Sequence, residues 1–240
     1  MNGTPVREVL NGVRVNCSAI HSDPDSPVRK LAAFAFALCL CATCSYAADP
    51  LSDAPEDRQQ PPHEVRDFPS YAQAVQAWRT PEDLNAWIAA KFEYDVERSM
   101  LLSETQRAAK PGPPIHLPEA FFAAPKGICV DLSRFAVETL RVVAPELKAR
   151  YVMIEFNPVA IRGNTLRRHW VASFERGGQR YFFADSKRPG HMAGPYASTQ
   201  AYLDDYAKYR GREIVAFRET DSFMRRAKTP AAKPRREADG

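Results

Sequence analysis

Hydrophobic positions along the chain change their period at a few well-marked points. From Thr80 a helix is predicted: Thr80 is suited to the N-cap, Pro81 to the first turn, and Glu82 and Asp83 to the positive end of the dipole. Leu84, Trp87, Ile88, Lys91 and Phe92 follow at helical spacing, so this helix is expected to run to about Phe92. A second helix is predicted over Cys129–Val143, where Leu132, Phe135, Ala136, Leu140 and Val143 form one apolar stripe and Pro145 stops it. Residues 103–126, with prolines at 111, 113, 114, 118 and 125, read as irregular. The second half has strand character: Tyr151–Phe156, His169–Glu175, Arg180–Ser186 and Arg212–Arg218, with a helix from Thr199 to Lys208. Gly177-Gly178 between two such runs is a hairpin signal. Helices first and consecutive strands afterwards predict an α+β fold with an antiparallel sheet.

Outside this globular region, which the pattern bounds at residues 71–224, the chain changes character. Residues 48–70 are polar and Pro-rich, with no apolar period, and read as a linker. Residues 225–240 read as a basic disordered tail. Within residues 1–47, Arg29 and Lys30 precede an apolar run from Leu31 to Cys44, and Ser45-Tyr46-Ala47 supplies small residues for a cut. That is the layout of a secretory signal peptide behind an N-terminal extension. The run is shorter than the about 20 residues a membrane span needs, so no stable span is expected. The residues before Cys44 suit a lipid-attachment site poorly, so the expected location is periplasmic or secreted rather than lipid-anchored.

Charge changes this picture little. The 240 residues carry 33 basic and 29 acidic side chains, a formal +4, and the only dense basic run is the tail. Nucleic acid is therefore not an expected partner.

Cysteine usage changes it more. The chain has Cys17, Cys39, Cys41, Cys44 and Cys129, and a cut after Ala47 leaves Cys129 alone. A single thiol in an exported protein is an inert buried side chain, a reactive one, or one bonded to another chain. Cys129 sits at the start of a helix just after Gly127, where free N–H groups and the dipole favour a thiolate. The histidines left to serve as base are His63, His116, His169 and His191; His63 lies in the linker, and His116 and His191 in Pro/Gly-rich segments. His169 starts a strand, and the hairpin can bring it beside Asp185 on the partner run. An acid inside Tyr181-Phe-Phe-Ala-Asp185 wants a partner, because an unpaired buried carboxylate is costly; capping the turn Ser186–Gly190 is the alternative. Beyond Ala47 there is no C-x-x-C or H-E-x-x-H pair, the spacing Cys41-x-x-Cys44 falling in the segment expected to be removed, so neither a metal nor a cofactor is expected.

The blocks Gly127-Ile-Cys129-Val-Asp131-Leu-Ser-Arg-Phe135, His169-Trp-Val and Phe183-Ala-Asp185 resemble the three motif blocks of the transglutaminase-like superfamily, and most nearly its bacterial cysteine proteinases. The helix Pro81–Phe92 with Tyr94-Asp95 resembles the segment upstream of the cysteine, so the resemblance covers roughly residues 71–220. It implies a papain-like core with the cysteine heading a helix packed on an antiparallel sheet. It also implies Cys129 as nucleophile, His169 as base and Asp185 as the group that orients it. The activity implied is acyl transfer from amide bonds of a protein or peptide substrate, with hydrolysis leading. Transamidation, or a binding module without turnover, are the alternatives. Ile128 and Val130 flank Cys129 where a calcium-dependent branch has acids, so calcium is not implied. The oxyanion helper is not assignable; Trp87 and Trp170 are candidates only as polar-tipped aromatics.

Overall fold

The computed structural model describes residues 51–62 and 64–224; the signal-peptide and tail readings, and His63, lie outside the described residues. Seven α-helices and seven strands occur among them. In chain order these are α1 (Tyr71–Ala77), α2 (Pro81–Lys91), β1 (Glu93–Tyr94), α3 (Val96–Leu101), α4 (Glu104–Ala109), α5 (Pro118–Ala123), β2 (Lys126–Gly127) and α6 (Cys129–Val143). Then come β3 (Arg150–Ile161), β4 (Asn164–Arg176), β5 (Gln179–Phe183), β6 (Ala193–Tyr196), α7 (Thr199–Arg210) and β7 (Ile214–Thr220). The fold is α+β. Five strands make one antiparallel sheet in the order β6-β5-β4-β3-β7, and β1 and β2 pair separately in parallel.

The predicted helix starts hold for local reasons. Thr80 Oγ1 accepts from the Asp83 N–H at 3.2 Å while Asp83 returns a bond to the Thr80 N–H at 3.0 Å, a complete capping box ahead of Pro81. The hairpin also forms as read: Arg176 pairs with Gln179 around Gly177 and Gly178, which have φ of 59° and 75°. Two left-handed residues are what a two-residue loop matched to strand twist requires, and glycine takes that region without strain. Residues 103–126, expected to be irregular, instead hold α4 and α5. Ser103 caps the first and Pro118 begins the second, each only six residues long.

Side-chain alternation along β3 and β4 divides the core in two. Tyr151, Met153, Trp170, Ala172 and Phe174 face one side of the sheet, where they pack with α6 through Leu132, Phe135, Ala136 and Leu140, and with Trp87 of α2. Val152, Ile154, Phe156, Val171 and Phe182 face the other, covered by Tyr202, Leu203 and Tyr206 of α7. At the α6 side aromatic rings interlock: Trp87 stacks on Phe122 at 5.1 Å and tilts against Phe135 at 4.9 Å. The sheet is thus held between α6 and α7. No helix of the described residues is long and apolar enough to cross a membrane.

The described parts of the Pro-rich stretch, 51–62 and 64–70, carry no helix or strand. Its first part nevertheless docks on the domain. Glu56 and Asp57 N–H groups donate to the Lys187 carbonyl and the Gln59 N–H to the Pro189 carbonyl. Further along, Val65 and Phe68 pack on the core.

Candidate active site

The site begins with the pedestal beneath Cys129. Ile128 is the N-cap of α6 and has no side-chain acceptor to offer, so the helix end is organised by Asp131 instead. This fully buried carboxylate accepts from the Ile128 N–H at 3.1 Å, from the His116 N–H at 2.9 Å, and from Arg98 through Nε at 2.7 Å and Nη2 at 2.9 Å. Asp131 therefore ties α3, the loop before α5 and the start of α6 together directly under the cysteine. Gly127 has to lack a side chain here, because a Cβ would lie 2.9 Å from the Asp131 Cβ and 3.0 Å from the Phe121 ring. Cys129 is the first residue of α6, with the unpaired N–H groups of the first turn around it.

His169 comes from β4 and Asp185 from just beyond β5. The strand ladder ends at Ala172 opposite Phe183, and Ala184 then takes a left-handed backbone (φ 57°), which turns the chain so that Asp185 swings onto His169. His169 Nε2 and Asp185 Oδ1 are 3.0 Å apart, both side chains buried. Asp185 also accepts from the Lys187 N–H at 2.9 Å and from Arg188 Nε at 3.2 Å. Pairing with histidine and capping of the turn, alternatives in the sequence, are both present in one carboxylate. His169 lies flat on Tyr206 of α7, ring centres 5.8 Å apart.

A group that the sequence did not signal completes the cluster. Asp53, in the stretch read as linker, places Oδ2 3.1 Å from His169 Nδ1. The contact is an ion pair, and Nδ1 is buried without a hydrogen-bond partner. Asp53 Oδ1 is held by Arg210 Nη2 at 2.8 Å. One ligand-type atom from each of Asp53, Cys129 and His169 lies within 4.8 Å of the other two. Among the described residues this is the one such grouping of His, Cys and acidic side chains. Yet the carboxylate has a guanidinium and an imidazole against it, so no cation is needed to balance it.

Charge in this cluster follows from burial and from the two acids. Burial alone opposes a charged His169, but Asp53 and Asp185 on its two edges outweigh that and push its pKa well above the ordinary value. Burial would raise both carboxylates; instead His169 and the neighbouring arginines hold Asp53 and Asp185 below the usual carboxylate range. The Cys129 thiol is pushed up, by burial first and by the Asp53 charge, against the opposing influence of His169 and the Trp170 backbone.

Cys129 is reached from outside through a groove of about 510 Å³, whose walls include Ile115, Ile128, Trp170, Phe223, Arg107 and Arg168. That volume suits a few side chains of a peptide. Trp170 lines it, whereas Trp87 is packed in the core. His116 belongs to the Asp131 pedestal, and His191 lies on the turn after Asp185, its N–H on the Arg188 carbonyl. Of the sequence candidates, then, Cys129, His169 and Asp185 are brought together. Comparison with protein-family models, with curated proteins and with solved structures returned no match.

Proposed function

We propose that this protein is an exported thiol enzyme with a transglutaminase-like, papain-like core, acting on amide bonds of proteins or peptides by acyl transfer through Cys129. The observation that carries the reading is His169. One nitrogen is fixed 3.0 Å from Asp185, and a ring nitrogen lies within 4.8 Å of the sulfur of Cys129, which heads a helix. A thiol, an imidazole and a buried carboxylate in that sequence of contacts are the parts that nucleophilic amide cleavage requires.

In the first half-reaction the Cys129 sulfur, as thiolate, adds to the carbonyl carbon of the bound amide. The unpaired N–H groups at the start of α6 face the oxygen that becomes negative. The C–N bond then breaks, His169 gives its proton to the departing amine, and the acyl group remains on sulfur as a thioester. In the second half, water attacks the thioester, His169 takes its proton, and the carboxylic acid leaves as the sulfur is freed. If an amine takes the place of water, the same residues perform transamidation. Asp185 keeps one tautomer and one ring orientation throughout.

The experiment is a comparison of new N-termini in a cell-envelope protein extract treated with wild type and with Cys129→Ala. Fragments made only by wild type support the reading, and identical patterns defeat it. A binding module without turnover draws on a different observation: the imidazole is already flanked by two acids, and burial pushes the Cys129 thiol up. Whether that describes a dead site or a resting one depends on Asp53.

A further inference from the structure

We infer that residues 51–59 form a built-in inhibitory arm, whose Asp53 carboxylate takes the place of the Cys129 thiolate as counter-ion of His169. The inference rests on the thiol-enzyme reading above and adds a regulatory contact to it.

The arm is attached at several independent points. Arg58 donates to the carbonyls of Ala89 at 2.6 Å and Phe92 at 2.7 Å, using acceptors that the end of α2 leaves without helical partners. The backbone of Glu56, Asp57 and Gln59 bonds to the turn that follows Asp185. Ser186 Oγ donates to the Asp53 carbonyl at 2.9 Å, and Arg210 reaches both the Asp53 carboxylate at 2.8 Å and the Ser52 carbonyl at 3.3 Å. Together these deliver one side chain to one place: Asp53 Oδ2, 3.1 Å from His169 Nδ1. Asp185 already occupies Nε2, so Nδ1 is the nitrogen left for the thiol. A thiolate–imidazolium pair forms when sulfur supplies the negative charge beside Nδ1. With Asp53 supplying it, the imidazolium has a counter-charge that is not the sulfur, and the same carboxylate repels charge on sulfur.

Among the described residues, the charged and titratable groups against the ring fit this description. Asp53 faces it from the arm, Asp185 from the turn after β5 and Cys129 from α6. Arg188 flanks Asp185, and Arg210 and Tyr206 bound the cluster from α7. Tyr94 is half-buried, and its phenol is pushed up by desolvation first and then by the nearby Asp53 and Cys129. None of residues 51–59 lines the groove to Cys129. The arm therefore leaves the substrate path open and acts on the charge state of the dyad. Its departure is expected to raise kcat with little change in KM.

The test is the rate of Cys129 alkylation by iodoacetamide, followed by intact mass from pH 5 to 9, with Cys129→Ser as the blank. Asp53→Asn keeps the shape of the side chain and removes its charge. It is expected to alkylate about tenfold faster than wild type at pH 6, with the midpoint moved about one pH unit to the acid side. Arg58→Gln loosens the arm far from the dyad and is expected to move rate and midpoint in the same direction. An unchanged or slower rate in a folded Asp53→Asn protein overturns the inference. If Asp53→Asn does not fold, Arg58→Gln decides alone, with hydrogen exchange at residues 51–59 reporting release of the arm: faster alkylation supports the inference, and an unchanged rate with a released arm overturns it. The readout is on Cys129 and needs no substrate. Absence of amide turnover in every variant thus defeats the enzyme reading and leaves alkylation to decide the arm.

Discussion

Asp131→Ala is expected to damage the fold more than loss of any exposed salt bridge. The wild-type carboxylate is fully buried and answers four donors: two from Arg98 and the backbone N–H groups of Ile128 and His116. Truncation leaves the nearly buried Arg98 guanidinium facing an uncompensated cavity. Breaking a buried pair by removing one partner costs about 3–5 kcal/mol. Each orphaned backbone N–H adds on the order of 1 kcal/mol where water cannot reach it. Taking about 4 kcal/mol as the net loss and a urea slope of about 2 kcal/mol per molar, the unfolding midpoint should fall by about 2 M. The assay is urea titration followed by tryptophan fluorescence and far-UV circular dichroism, with coincidence of the two as the check on two-state behaviour. By comparison, Glu82→Ala removes an exposed partner of Arg176 and should cost well under about 1 kcal/mol. A midpoint for Asp131→Ala within the range of Glu82→Ala would refute the description of Asp131 as the pedestal of the cysteine.

Three further outcomes are expected. Gly127→Ala places a methyl group 2.9 Å from the Asp131 Cβ, so it should cost about 1–3 kcal/mol and lower Tm by about 2–4 °C per kcal/mol; a Tm equal to wild type by calorimetry contradicts that packing. Asp185→Asn removes one of the two acids that hold His169 charged, so the imidazole should titrate at lower pH; an unchanged ring titration by NMR would show that Asp185 does not set it. Asp53 and Asp185 have depressed folded pKa values, so their stabilisation is full above the ordinary carboxylate value of about 4 and is lost as pH falls through the folded values. His169, with its pKa raised, contributes fully below its ordinary value of about 6.5 and loses that contribution as pH rises through the folded value. The urea midpoint should therefore fall at both the acid and the alkaline end, and a midpoint flat from pH 7 down to pH 2 would contradict the acid arm of this linkage.

What could be read from the residues was local. The capping box at Thr80, the apolar stripe of α6 and the Gly177-Gly178 hairpin each use neighbours a few positions apart, and each is in place. Short elements were hidden by competing signals. Edge strand β6 contains Gly194 and Pro195, which read as loop, and the helices at 104–109 and 118–123 are shorter than the period needed to reveal them. The pairing of His169 with Asp185 followed from the hairpin, but the bend at Ala184 that completes it has no sequence mark. Asp131 was legible only as a first-turn acid, since three of its four donors come from Arg98 and His116, distant in the chain. Asp53 gave no signal at all. It lies in a polar, Pro-rich run without period, and its meaning comes from His169 and Arg210, more than a hundred positions away.

The central claim is that Cys129 carries an acyl group from an amide. Incubation of the arm-loosened Arg58→Gln protein with a mixture of peptides, acid quenching within seconds and intact mass measurement tests it directly. The expected result is a mass increase equal to an acyl fragment, mapped to Cys129, removed by hydroxylamine and absent from Cys129→Ala. An unmodified Cys129 in a protein whose thiol alkylates readily would contradict it.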